Sequence, residues 1–118
     1  MAYVMLIMEH RDRRRKRAPD EARQEYERMT RFGEGLHQRG LLRASDALKP
    51  DAQGVRLTTQ GGKRVTIDGP FAESKEMVGG FFVLDCQTKE QAVAIAAECP
   101  AVAWATVEVR EIGTCYDD

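Results

Sequence analysis

The chain has 118 residues, of which 42% are hydrophobic and 31% are charged, and its formal net charge is −1. A chain of this length forms one domain around one core, so we expect a single domain over residues 1–118. The hydrophobic content excludes a disordered chain, and no apolar run approaches the ~20 residues of a membrane-spanning helix. The near-neutral charge argues against a protein built wholly to bind nucleic acid.

Cysteine and histidine usage limits the compartment and the cofactors. Cys86, Cys99 and Cys115 are odd in number and widely spaced, which favours a reducing cytoplasm over a disulfide framework. The apolar start of the chain has no basic region before it, so we interpret it as a strand and not as a signal peptide. His10 and His37 lie outside any cluster with metal-ligand spacing, and no glycine-rich phosphate loop is present. We therefore expect no metal and no cofactor.

The first third of the chain predicts one strand and one long helix. The run from Tyr3 to Met8 is apolar on both faces, as in a strand that is covered on both sides. A basic connection from Arg11 to Arg17 follows, and Pro19 begins a helix that Gly40 ends. Three- and four-residue spacing predicts its buried stripe, which consists of Ala22, Tyr26, Met29, Gly33 and Leu36. We expect Glu25 to lie away from that stripe.

A hairpin is predicted in the middle of the chain, around the glycine pair Gly61-Gly62. Its strand-like runs are Val55 to Thr59 and Arg64 to Ile67. A minimal two-residue loop would place Leu57 and Val65 on opposite faces of the hairpin. Because that separates two apolar side chains, we expect a longer loop or a β-bulge at the glycines.

The remaining elements complete an α+β pattern. Strands are predicted for residues 41–48, 80–85 and 106–112, and a second helix begins at Thr88, whose spacing to Gln91 fits a capping box, and ends at Pro100. This order predicts a ferredoxin-like antiparallel sheet with both helices on one face and an inserted β-hairpin. The other sheet face then needs cover, so we expect a homodimer that stacks sheet on sheet. We assign Tyr3, Met5 and either Phe81 or Phe82 to that face.

One segment carries a family resemblance. The run Asp68-Gly69-Pro70-Phe71-Ala72-Glu73-Ser74-Lys75-Glu76, followed by Gly79-Gly80-Phe81, resembles the motif of the DGPF, or YCII-related, proteins. The resemblance extends over essentially the whole chain. It implies a dimeric ferredoxin-like α+β barrel, and it implies no particular reaction, because the activity of that family is mostly undefined.

Asp68 is the principal candidate for a functional residue. Its carboxylate either accepts hydrogen bonds from the turn that Gly69 and Pro70 form, or lines a pocket as a ligand acceptor or general base. Similar YCII-type proteins pair an aspartate in this region with a histidine on the first helix. Aligned at Gly40, that histidine falls near Met29, and this chain departs from the pattern because it has no histidine there.

Two charged groups of residues complete the candidates. Glu73, Lys75 and Glu76 either join Asp68 in a ligand-binding polar cluster or form solvated ion pairs, which we favour. The basic run from Arg11 to Arg17 is interpreted as a mobile, solubilising loop, because no aromatic residues interleave it for contact with nucleic-acid bases. We expect Trp104, the only tryptophan, to pack in the core, at the interface or at a pocket rim.

Together these observations favour a dimeric small-molecule-binding protein with a polar pocket at the Asp68 turn. One alternative is a cofactor-independent enzyme that uses Asp68 as acid or base in a proton transfer or an elimination. The resemblance also allows a regulatory module that accompanies transcription factors of the sigma type. No membrane partner is expected, and nucleic acid is not the favoured partner.

Overall fold

The computed structural model describes residues 2–116. The strands are β1 (Ala2–His10), β2 (Leu42–Ala47), β3 (Val55–Gln60), β4 (Lys63–Asp68), β5 (Glu76–Asp85) and β6 (Thr106–Ile112). The helices are α1 (Arg13–Lys16), α2 (Pro19–Gln38) and α3 (Lys89–Ala97). Short 3-10 turns occupy Asp51–Gln53 and Pro100–Ala103.

Four strands form one antiparallel sheet in the order β2-β5-β1-β6, and β3 and β4 pair separately as a hairpin. This strand order, with α2 and α3 as crossovers, is that of the ferredoxin-like fold. The prediction of an α+β architecture with an inserted hairpin is therefore confirmed.

The core lies between this sheet and the two long helices. Tyr3, Met5 and Ile7 point from β1 to the helices and are buried with Phe82 and Leu84 of β5. The assignment of Tyr3 and Met5 to the opposite face is wrong. Because β1 is apolar at every position from 3 to 8, alternation could not distinguish its two faces.

The opposite face of the sheet carries the intervening apolar residues. They follow from the register of β1 with β5 and are Val4, Leu6, Met8, Phe81 and Val83. All five are only partly buried in the single chain. The molecule measures 48 × 43 × 18 Å, and its short dimension fits one sheet layer and one helix layer.

Helix α2 buries most of the predicted stripe but differs from it at Tyr26 and at Glu25. Glu25, Gly33 and Leu36 are buried, whereas Tyr26 is 64% exposed. The prediction that Glu25 lies away from the buried stripe is wrong, because two arginines neutralise its carboxylate in the interior.

Helix α3 follows its sequence closely. The Thr88 side chain accepts a hydrogen bond from the Gln91 N–H, with 3.1 Å between the heavy atoms. The predicted N-terminal cap is therefore confirmed. The inward side of the helix and the turn after it are apolar, since Ala92, Ile95 and Cys99 are buried.

The β3–β4 hairpin has the minimal loop that the apolar pattern argued against. Gln60 pairs directly with Lys63, and Gly61 and Gly62 both have positive φ angles, 55° and 79°. Such a pair of left-handed residues is the type I′ turn that two-residue hairpins favour. The predicted longer loop or bulge is wrong, because both faces of this hairpin are largely exposed and no core requires its apolar residues to share a face.

The two glycines near the end of α2 provide a matched test of backbone conformation. A Cβ at Gly35 or at Gly40 would meet no atom within 4 Å, but Gly40 has a φ of +72°. Gly35→Ala should raise the free energy of unfolding by about 0.5–1 kcal/mol, because alanine favours the helix. Gly40→Ala should lower it by about 1 kcal/mol, because an L side chain is strained at that angle. Urea denaturation of both variants measures the difference, and equal effects would contradict this account.

Candidate functional site

A cleft of about 590 Å³ lies between α2 and the part of the sheet formed by β2 and β5. Its apolar wall includes Tyr26, Met29, Phe82 and Trp104. Its polar residues include Arg14, Arg17, Glu25, Thr30, Glu34, His37 and Ser45. The cleft therefore combines a mostly apolar interior with charged groups, as ligand sites do.

The local sequence of α2 leaves room for this cleft. Gly33 faces the sheet, where a Cβ would stand 3.5 Å from the Phe82 ring and 3.9 Å from the Ser45 hydroxyl oxygen. The neighbouring Phe32 holds Phe82 in an edge-to-face contact, with 5.3 Å between the ring centroids. The helix is thus anchored on β5, while the glycine leaves a gap beside the anchor.

A buried carboxylate stands at one end of the cleft. The Glu25 side chain is 6% exposed, and its Oε1 accepts hydrogen bonds from Arg13 Nη1 at 2.7 Å and from Arg17 Nη1 at 2.9 Å. Arg13 also donates to Oε2. Because the hydrogen bond from Arg13 outweighs the opposing effect of desolvation and Arg17 adds a second one, the pKa of Glu25 lies below its ordinary value.

A second buried carboxylate lies beside the first. Glu9 is the last buried residue of β1, and its carboxylate pairs with Arg14. The Arg14 guanidinium also donates to the carbonyl oxygens of Leu48, at 2.6 Å, and Gly79, at 3.1 Å. A Cβ at Gly79 would stand 2.9 Å from the Glu9 carboxyl carbon, so this glycine makes room for the ion pair.

The basic run is therefore part of the folded structure. Residues 13–16 form helix α1, and the side chains of Arg13, Arg14 and Arg17 are only 19–22% exposed. The interpretation of this run as a solvated, mobile loop is wrong. Glu9 could have indicated the pairing, because it falls on the same alternation as Tyr3, Met5 and Ile7, and a buried acid requires a cation.

Trp104 connects this charged cluster to the apolar wall. The guanidinium carbons of Arg13 and Arg28 lie 5.4 Å and 5.3 Å from the centroid of its ring, within the range of cation–π contacts. The ring also lines the cleft. Of the predicted places for Trp104, the core and the pocket rim agree with the structure, because the partly buried ring packs against the core and lines the cleft.

Asp68 lies elsewhere. It ends β4, is exposed, and is not among the residues that line the cleft. The hydrogen bonds that hold the turn after it go to Asp51, whose Oδ2 accepts from the Phe71 N–H at 3.3 Å and from Arg11 Nε at 3.2 Å. Asp51 could not be identified from the sequence, because it lies outside the motif and reaches the turn only in the folded chain.

The environment of Asp51 keeps its carboxylate charged. Partial burial acts to raise its pKa, but the Phe71 N–H and the Arg11 guanidinium together hold it below the ordinary value. Gly69 lies against the same 3-10 turn, donates to the Gly54 carbonyl at 2.8 Å, and could carry no Cβ, which would stand 1.8 Å from the Asp51 carbonyl oxygen. The motif thus closes the base of the hairpin.

The other predicted site residues lie on the surface near that base. Glu73, Lys75 and Glu76 are exposed and do not line the cleft. Glu73 pairs with Arg56 at 3.1 Å, and the Arg56 guanidinium carbon stands 3.8 Å above the buried Phe71 ring. A ligand-binding role for these residues and Asp68 stays a prediction.

Helix α2 has a methionine where the family resemblance predicts a histidine. Met29 occupies the aligned position, lines the cleft, and has its sulfur 3.8 Å from the Cys99 Sγ. His37, near the end of α2, also lines the cleft.

Among residues 2–116 no group of three or more His, Cys, Asp or Glu side chains could hold a metal ion. No helix in that range is long and apolar enough to cross a membrane.

Comparison with known proteins gives a family and one relative. The sequence model of the YCII-related domain family matches residues 1–114. An uncharacterised protein of Rhizobium meliloti (strain 1021) is 34% identical over 59 residues, which is 50% of this chain and 48% of that protein. The chain therefore matches about half the length of this curated relative.

The buried Glu25 carboxylate should be essential to stability. Glu25→Gln leaves the partly buried Arg17 without a counter-ion and Arg13 with only the exposed Glu21. It should lower the free energy of unfolding by about 2–3 kcal/mol, somewhat below the loss for fully buried pairs. Glu21→Gln is the matched control, because Glu21 lies 3.4 Å from the same Arg13 but is 52% exposed, and it should cost less than about 0.5 kcal/mol. Urea titration at neutral pH measures both, and equal losses would contradict the assignment.

The ion pairs of Glu25 also predict how the stability of the protein declines at acidic pH. Since the folded-state pKa of Glu25 lies below its ordinary value of 4.5, the carboxylate contributes fully above about pH 4.5. The contribution is lost as the pH falls through the folded-state pKa. Thermal unfolding from pH 7 to pH 3 should show a shallower decline for Glu25→Gln than for the parent, and parallel curves would argue against it.

The turn after β4 should depend on Asp51 more than on Asp68. Asp51→Asn weakens the hydrogen bonds that Phe71 and Arg11 donate to this side chain, so the melting temperature of the protein should fall. Asp68→Asn, a matched change on an exposed residue, should leave it nearly unchanged. Differential scanning calorimetry compares the two, and a larger loss for Asp68→Asn would overturn the assignment.

Proposed function

This chain belongs to the YCII-related family, and we propose that it binds a small molecule in the cleft between α2 and the β2–β5 part of the sheet. The observation that carries the proposal is the cleft itself, about 590 Å³ in volume. Ligand sites typically enclose ~300–1,000 Å³ and join an apolar lining to a few convergent polar groups. Tyr26, Met29 and Phe82 supply the apolar part here, and Arg17 and Thr30 supply polar groups.

The buried ion pairs support a ligand site at this place. These ion pairs already restrict the Arg14 and Arg17 side chains, so less conformational entropy is lost when a ligand binds. Cation–π contacts from the Arg13 and Arg28 guanidiniums also hold Trp104. A preorganised rim with an apolar floor suits reversible binding of a small organic molecule.

An acid–base reaction at Asp68 is not part of this proposal. A general base must come within about 2.6–3.2 Å of the proton that it removes. Asp68 is exposed and lies outside the cleft, so a substrate in the cleft would not meet it within the single chain. The regulatory alternative has no specific observation in its favour.

We further propose that the protein is a homodimer joined through the open sheet face. The apolar residues Val4, Leu6 and Phe81 lie at the centre of that face, and Glu108 and Arg110 of β6 lie beside them in the register. In a two-fold interface, a contact of Glu108 with Arg110 of the second subunit is repeated by the symmetry-related contact of Arg110 with Glu108. These two opposite charges are therefore self-complementary.

Sedimentation at micromolar concentration should give a dimer, and Leu6→Glu should give a monomer. A parent monomer would refute this part of the proposal.

The cleft is tested by a fragment screen observed by ¹H–¹⁵N NMR. Bound fragments should shift the single indole N–H resonance of Trp104 together with amides of α2. Thr30→Phe narrows the cleft from an exposed lining position and should weaken binding at least tenfold. Glu27→Phe, on the same helix but outside the lining, should leave it unchanged. Fragments that bind both variants equally, or none that shift Trp104, would refute the cleft as the ligand site.

A further inference from the structure

Arg17 has an unsatisfied donor at the edge of the cleft. Its Nε is buried, and among residues 2–116 it is the one buried side-chain nitrogen or oxygen that lacks a hydrogen-bond partner. Buried polar groups nearly always have a partner, and an exception calls for an acceptor that the chain does not supply. Arg17 also lines the cleft, so a ligand bound there lies next to this guanidinium.

The distribution of charge around Arg17 indicates the kind of acceptor. Arg14 has Glu9 as its own carboxylate, and Arg13 has Glu21 at 3.4 Å in addition to Glu25. Arg17 has Glu25 alone, and the oxygen that it contacts already accepts a hydrogen bond from Arg13. Arg17, whose side chain is 22% exposed, therefore shares its one carboxylate oxygen with a second guanidinium. A charged acceptor binds such a guanidinium more strongly than a neutral one, which favours an anion.

The neighbouring wall indicates the remainder of the ligand. Met29, Phe82 and Trp104 line the same cleft, and none of them carries a charge. The Nε side of a guanidinium presents two parallel N–H groups, which match the two oxygens of a carboxylate. A monoanion with a planar or aliphatic apolar body satisfies both the arginine and the wall.

We infer that the ligand of this cleft is a small apolar carboxylic acid, whose carboxylate accepts hydrogen bonds from Arg17 Nε and whose body packs against Met29, Phe82 and Trp104. This rests on the proposed function of the cleft and names its ligand class. The carboxylate supplies the missing partner of the buried donor.

Matched acids and amides test this inference. The probes are benzoate with benzamide, phenylacetate with phenylacetamide, and hexanoate with hexanamide, with binding measured by Trp104 fluorescence and by NMR. Each pair has nearly the same shape and differs in charge. At least one acid should bind tenfold or more tightly than its amide, and its affinity should fall as the salt concentration rises.

Two variants and a control keep the result interpretable. Arg17→Lys retains a positive charge beside Glu25 but removes the Nε donor, and it should lose the preference for acids while the fold persists. Arg17→Gln should lose it as well. Arg15→Gln changes a 75% exposed residue of the same basic run and should keep the parent's preference.

The possible outcomes separate this inference from the proposed function. Equal affinity for acid and amide, or an unchanged acid preference in Arg17→Lys, refutes the carboxylate assignment and leaves the cleft as a site for neutral ligands. Inorganic phosphate that binds more tightly than every acid refutes the apolar part of the ligand. If none of the six compounds perturbs Trp104 while the fragment screen does find ligands, the carboxylate assignment fails alone. If neither experiment finds a ligand, both proposals fail.

Discussion

The arrangement of this molecule depends on neutralising two carboxylates that the fold places in its interior. Glu9 follows the buried alternation of the central strand, and Glu25 faces inward from the long helix. An unpaired charge at either position would cost several kcal/mol, so the chain must supply cations from nearby. The segment between strand and helix supplies them, and as a result it folds into α1, ties β1 to α2, and sets the rim of the cleft.

The need to pack closely around buried carboxylates also connects the family motif with the cleft. Gly79 gives room to the Glu9–Arg14 pair, and Gly69 gives room to the Asp51 turn. Both glycines therefore serve close packing, and the motif stabilises the sheet edge and the hairpin base. Gly79, Gly80 and Phe81 of the motif line part of the cleft, whereas its arginine and tryptophan side chains, such as Arg17 and Trp104, come from outside the motif.

Much of the fold could be predicted from the sequence, because α3, β6 and the hairpin have strong local signals such as the Thr88 cap and the Gly61-Gly62 pair. The errors have a common physical origin. The faces of β1, the burial of Glu25 and the helix at α1 are decided by contacts between distant residues, which override local periodicity. A pocket between the helices and the sheet could be predicted, but its position away from Asp68 could not, since the cleft lies where Gly33 has no side chain and where a basic run, interpreted as solvated, turns inward.

The separate β3–β4 hairpin has a consequence for how this architecture can diversify. It shares no sheet hydrogen bonds with the four-stranded sheet, its loop is a two-residue turn in solvent, and its base is closed by contacts around Asp51 and Gly69. Changes of length or sequence beyond that base leave the core and the cleft untouched, because loop tips tolerate insertion where little backbone is buried. Evolution can therefore rebuild this projection, and with it whatever surface it presents, without re-optimising the rest of the protein.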